Sequence, residues 1–167
     1  FKTCSLKGDF MPDVLFIDIE GAIINKSLMD GSYITLPGTF ESIQELKNKK
    51  FGNNIFIISN ANTIDDRFQV IDWLSRREFY ARTGVPIHKL FFCSRESEKA
   101  DICEKKNATH FIGGHKEAMI YMRRVGVKNL FIFQGKKEEG EEGVYDFILP
   151  DVVQVESWLE IKKALLK

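Results

Sequence analysis

Short, unbroken apolar runs alternate along the chain with longer stretches in which apolar residues recur every three or four positions. Val14-Leu15-Phe16-Ile17 ends in Asp18, and Ile55-Phe56-Ile57-Ile58 ends in Ser59-Asn60. Leu90-Phe91-Phe92-Cys93, His110-Phe111-Ile112 and Leu130-Phe131-Ile132-Phe133 follow, with a sixth run, Phe147-Ile148-Leu149, closed by Pro150. A run without polar alternation suits a strand covered on both faces, as strands of a parallel sheet are. Amphipathic stretches at 40–50, 65–82, 96–107, 116–125 and 155–166 predict helices. In the second of these, Phe68, Ile71, Trp73 and Leu74 follow helical spacing, and Gly84-Val85-Pro86 ends it. Strands alternating with helices predict an α/β fold: a Rossmann-like open parallel sheet flanked by helices on both faces, forming one domain over residues 1–167.

In such a sheet ligands settle beyond the carboxyl ends of the strands, so the residues closing each apolar run come first as candidates. They are Asp18, Ser59, Cys93 and Gly113-Gly114. A carboxylate at Asp18 could attack phosphorus, while Glu20, two residues on, manages the proton of the leaving group. Ser59 could donate its hydroxyl to a phosphoryl oxygen, helped by nearby backbone amides, or else cap the following helix. Lys99 could set an ammonium against phosphate charge and the Asp18 carboxylate. Taken singly, each has a plainer reading as a cap, a turn residue or a solvated charge; their order along the chain is what raises them together.

With those motifs in place, the chain resembles the haloacid dehalogenase superfamily. Its first motif, an apolar strand running into DxDGT, is matched by VLFIDIEGAI; its second, a strand ending in Ser or Thr, by IFIISN; its third by Lys99; and Leu36-Pro37-Gly38-Thr39-Phe40 is similar to the family's usual connector. The resemblance implies hydrolysis of a phosphomonoester through an aspartyl-phosphate on Asp18, with Glu20 as general acid and base and Ser59, Asn60 and Lys99 holding the phosphoryl group. It also implies Mg2+, held by Asp18 and the backbone carbonyl of Glu20. A receiver domain combines similar residues but carries its acid on the third strand rather than the first.

The sequence departs from that pattern in three places. Glu20 replaces an Asp, as in the similar DIEG motif of the enolase-phosphatase branch, and Ala22 replaces Thr. Gly113-Gly114 stand where the family carries its magnesium-binding acids. A carboxylate about 4 Å from a divalent ion gains roughly 8 kcal/mol at an effective dielectric near 20, so the loss predicts weak or absent metal binding and impaired turnover. Glu117, first-turn helix acid or partial substitute, and His115 and Lys116 stand beside the same opening. The alternative is a catalytically inactive domain that binds a phosphorylated ligand, a protein or a nucleic acid.

The intervals from Asp18 to Ser59 and from Ser59 to Lys99 leave no room for a separate cap domain, only a small flap at 23–33. An uncapped opening implies a macromolecular phosphorylated substrate or a lid lent by a neighbouring subunit in a homo-oligomer. Lys and Arg number 24 and Asp and Glu 24, giving a formal net charge of zero, which excludes a globally basic nucleic-acid-binding surface. Arg67, Arg76, Arg77 and Arg82 lie among acids that cancel them, and Gly135 to Gly143 reads as a solvated loop. No apolar run reaches membrane-spanning length. Cys4, Cys93 and Cys103 lack CxxC spacing, so inert thiols in a reducing, cytoplasmic setting are expected rather than disulfides or zinc.

Overall fold

The computed structural model describes residues 11–26, 32–133 and 150–167. Six parallel strands form one sheet: β1 (Leu15–Asp18), β4 (Ile55–Asn60), β5 (Leu90–Cys93), β6 (His110–Gly113), β7 (Asn129–Phe133) and β8 (Val153–Val155), in the spatial order β5-β4-β1-β6-β7-β8. The first strand is therefore central, and the order reverses on either side of it, which places the topological switch point at its carboxyl end. Leu15 is level with Ile55 on one neighbour and His110 on the other. Two short strands, β2 (Ile24–Lys26) and β3 (Tyr33–Thr35), form an antiparallel hairpin after β1.

Alternation along β1 divides the interior. Leu15 and Ile17 face a core shared with α1 (Thr39–Leu46), α2 (Ile64–Arg76), α3 (Phe79–Thr83) and α6 (Trp158–Leu165), through Phe40, Leu74, Phe79 and Trp158. Phe16 faces the other core, with Ala100 and Cys103 of α4 (Glu96–Lys105) and Met119 and Met122 of α5 (Lys116–Arg124). Helices thus cover both faces, as the strand composition requires, and none among the described residues is long and apolar enough to cross a membrane.

Two expected elements differ. The stretch 65–82 is two helices, broken where Glu78 adopts a left-handed conformation, φ 57°. Of its helically spaced residues, Leu74 is buried, but Phe68 is 64% exposed. Val155 closes a strand instead of opening the last helix, which starts at Trp158 with the Ser157 hydroxyl as its cap. The expected strand at 147–149, the loop at 135–143, Cys4 and the centre of the flap at 23–33 lie outside the described residues.

Candidate functional site

The parallel sheet brings the closing residues of four adjacent strands, β5, β4, β1 and β6, to one edge. Asp18, Ser59 and Lys99 are each fully buried there. Lys99 lies on the second turn of α4, one turn after Glu96, so both side chains reach the end of β1. Its Nζ is 2.5 Å from Asp18 Oδ2 and 2.9 Å from Glu96 Oε2.

Glu20 sits in a turn of five residues, Ile19–Ile23, pinned from the far side by a hydrogen bond from Trp158 Nε1 to the Ala22 carbonyl. Its Oε1 accepts the Ser59 hydroxyl at 2.5 Å and its Oε2 the Asn60 amide at 3.4 Å. The capping alternative for Ser59 does not hold: the Thr63 hydroxyl caps α2, accepting from the Asp66 amide. Asn60 Nδ2 donates to Glu96 Oε1 at 2.8 Å, and the Cys93 thiol lies 2.9 Å from Asn60 Oδ1.

The sequence-predicted residues Asp18, Glu20, Ser59, Asn60 and Lys99 therefore converge. Glu96 and Cys93 complete the network. A helix-opening acid three residues before Lys99 was the only sequence signal for Glu96. Burial pushes the Cys93 thiol up to about 12, so it stays protonated, as an inert thiol should. His115 lines the opening, Glu117 is an exposed first-turn acid, and the four arginines are engaged elsewhere: Arg67 with the Ala61 carbonyl and Phe92, Arg76 with Asp72, Arg77 with Trp73, and Arg82 with Glu41 and Phe40.

Among the described residues no three acid, His or Cys side chains converge as a metal group. Asp18 offers one free oxygen, and the Glu20 carboxylate is turned toward Ser59 and Asn60. A Cβ at Gly114 would stand 2.6 Å from the Gly21 Cα, and one at Gly113 would stand 2.7 Å from the Phe111 ring, so a side chain at either position requires its neighbour to move. Beside this edge a cleft of about 660 Å³ runs from Glu20 and Gly114 to Tyr33, Phe133 and Trp158.

Three carboxylates around one ammonium leave the centre short of positive charge. Burial raises the pKa of Asp18; contact with Lys99 opposes the rise, and Glu20 and Glu96 add to it. Burial works against the Lys99 ammonium, but Asp18 and Glu96 outweigh it and hold its pKa above the ordinary lysine value. Both groups thus bind protons more tightly in the folded state. The stability Asp18 contributes is complete below its unfolded pKa, near 4, and is lost as pH rises through the folded value. The Asp18→Asn protein, a neutral isostere, is expected to melt at or above the wild type at neutral pH, with the gap closing toward about pH 4. Thermal melts of both proteins across that range check this. The difference between the curves is the measurement, because buried His110, lowered mainly by burial, works the other way as pH falls. A variant that melts lower at pH 7 contradicts it.

Fold and centre together define an open-sheet α/β domain with a buried carboxylate–lysine centre at the switch point. No family model and no curated protein matches the chain. Several solved chains match this one, two of them as follows. One is an uncharacterized protein from Listeria monocytogenes serotype 4b, at a TM-score of 0.62 and 13% identity, covering 92% of this chain and 97% of that one. The other is a candidate HAD family hydrolase from Streptomyces avermitilis, at a TM-score of 0.47 and 13% identity, covering 76% and 74%. At 13% identity the first likeness concerns fold alone.

Proposed function

We propose that this is a dehalogenase-like domain that does not turn over a phosphoryl group and acts as a protein-binding module, its polar centre locking β1, β4 and α4 together. One observation carries the reading: Ser59, Asn60 and Lys99, the residues assigned to the phosphoryl group, already donate to internal carboxylates. Ser59 Oγ and the Asn60 amide serve Glu20, Asn60 Nδ2 serves Glu96, and Lys99 serves Asp18 and Glu96. A phosphate entering here would have to displace those bonds. It would also face like charge: a carboxylate about 5 Å away costs roughly 3 kcal/mol at an effective dielectric near 20. The engaged arginines favour a protein partner over a nucleic acid.

A second reading is slow phosphomonoester hydrolysis on Asp18, with Glu20 as acid and base. It is favoured by Asp18 Oδ1, which is buried without a hydrogen-bond partner and so free to act as a nucleophile. Incubation with an aryl phosphate, with and without magnesium, beside an Asp18→Asn control separates the two. The expected result is release no faster than the control under either condition and no thermal shift with inorganic phosphate. Metal-stimulated turnover that disappears in the variant would establish the hydrolase.

A further inference from the structure

We propose that the cleft beside the Asp18 centre is a binding site for a small organic cation, an ammonium group carried on an apolar body. Its volume of about 660 Å³ falls within the roughly 300–1,000 Å³ of small-molecule sites. Its apolar wall is fixed in place. Phe133 and Trp158 are both buried, with ring centroids 5.6 Å apart, and Leu36 and Tyr33 continue the lining. The Ala22 carbonyl takes the one donor of the indole, so Trp158 offers a ligand apolar surface alone.

Charge selects the occupant. Among the described residues the lining carries two carboxylates, Glu20 and Glu156, and neither lysine nor arginine. Neither carboxylate has an ion-pair partner among the described residues. Glu20 accepts from neutral donors, the Ser59 hydroxyl and the Asn60 amide, while the nearby Lys99 ammonium is turned to Asp18 and Glu96. The start of α6, where a helix would draw an anion, is already closed: the Ser157 hydroxyl accepts the Glu160 amide, and Glu160 Oε2 accepts the Glu156 amide at 2.6 Å. An anion therefore finds no partner there. Single carboxylates beside an aromatic wall suit an ammonium whose body rests on Phe133 and Trp158, rather than a bare divalent ion, which gathers several oxygens at once. The inference stands apart from turnover at Asp18 and from any protein partner.

Titration of the full chain with phenethylamine, phenethyl alcohol and phenylacetate, followed by amide chemical shifts at about pH 8, tests it. The three probes share one ring and differ in the charge of the head. The amine, protonated at that pH, is expected to bind with a Kd on the order of 1 mM, as befits a fragment, and to shift the amides of Glu20, Tyr33, Leu36 and Trp158. The alcohol should bind at least about fivefold more weakly, and phenylacetate not at all up to about 10 mM. Glu20→Gln and Glu156→Gln should each weaken the amine at least about threefold, bringing it toward the alcohol. Glu156 is exposed, so its variant keeps the fold even if Glu20→Gln disturbs the network at Ser59. Equal binding of amine and alcohol overturns the proposal. So do an amine that leaves the shifts unchanged up to about 10 mM, shifts confined to other surfaces, or indifference to both substitutions.

Discussion

Replacing Lys99 by Met is expected to cost about 3–5 kcal/mol, because it leaves the Asp18 and Glu96 carboxylates without the cation they share. For a domain of this size that lowers the melting temperature by roughly 6–20 °C. Met matches the length of the lysine stem and can fill the fully buried space, so the loss reports charge rather than a cavity. The cost should grow with pH. Without the ammonium, burial and the neighbouring acids act unopposed on Asp18, whose pKa is already raised, and ionising it becomes more expensive. Adding Asp18→Asn to the Lys99→Met protein removes one of the stranded charges and should recover about 1–3 kcal/mol. Thermal and urea unfolding of the wild type, both single variants and the double variant give the coupling directly. A drop of less than about 2 °C, or a double variant no more stable than Lys99→Met, would mean that the lysine is not what balances the centre.

The same centre shows how far the sequence could be read. Asp18, Ser59 and Lys99 were legible because each follows or faces a strand buried on both sides. Such a strand is unmistakably apolar, and the residue that ends it has only one place to be. Glu96 was not legible, because its role depends on the rotation of α4, which is set by the burial of Ala100 and Cys103 in the core that holds Phe16 rather than by anything local. Ser59 looked equally suited to capping a helix; only the geometry shows that Thr63 takes that role. β8 was missed because Val153-Gln154-Val155 is only three residues long with a polar centre, and becomes a strand only by pairing with β7. The break at Glu78 has no glycine or proline to announce it. Phe68 carries the most instructive difference: the periodicity groups it with Trp73 and Leu74, which pack on the core, whereas its own side chain is 64% exposed.

Restoring a carboxylate at Gly114 is expected to damage the fold rather than rebuild a metal site. The backbone at Gly114 lies directly against the turn after Asp18: a Cβ there would stand 2.6 Å from the Gly21 Cα and 3.1 Å from its carbonyl oxygen, and a Cβ on Gly21 would stand 2.7 Å from the Gly114 Cα. Both obstacles are backbone, so neither can swing aside as a side chain would, and one loop must move. Gly114→Ala alone is expected to cost about 3 kcal/mol or more, and Gly114→Asp at least as much. Gly21→Ala adds conformational strain to the same clash, since φ there is +95°. Gly126→Ala supplies the control. Its φ is +88° and nothing lies within 4 Å of the added methyl, so it should lose only the roughly 1 kcal/mol that the backbone conformation costs. Urea unfolding of the four variants, with and without magnesium, ranks these costs. If Gly114→Ala were no worse than Gly126→Ala, the two loops would not be in contact. If Gly114→Asp were stabilised by magnesium where the wild type is not, the glycines would be a lost metal site after all rather than the contact that closes it.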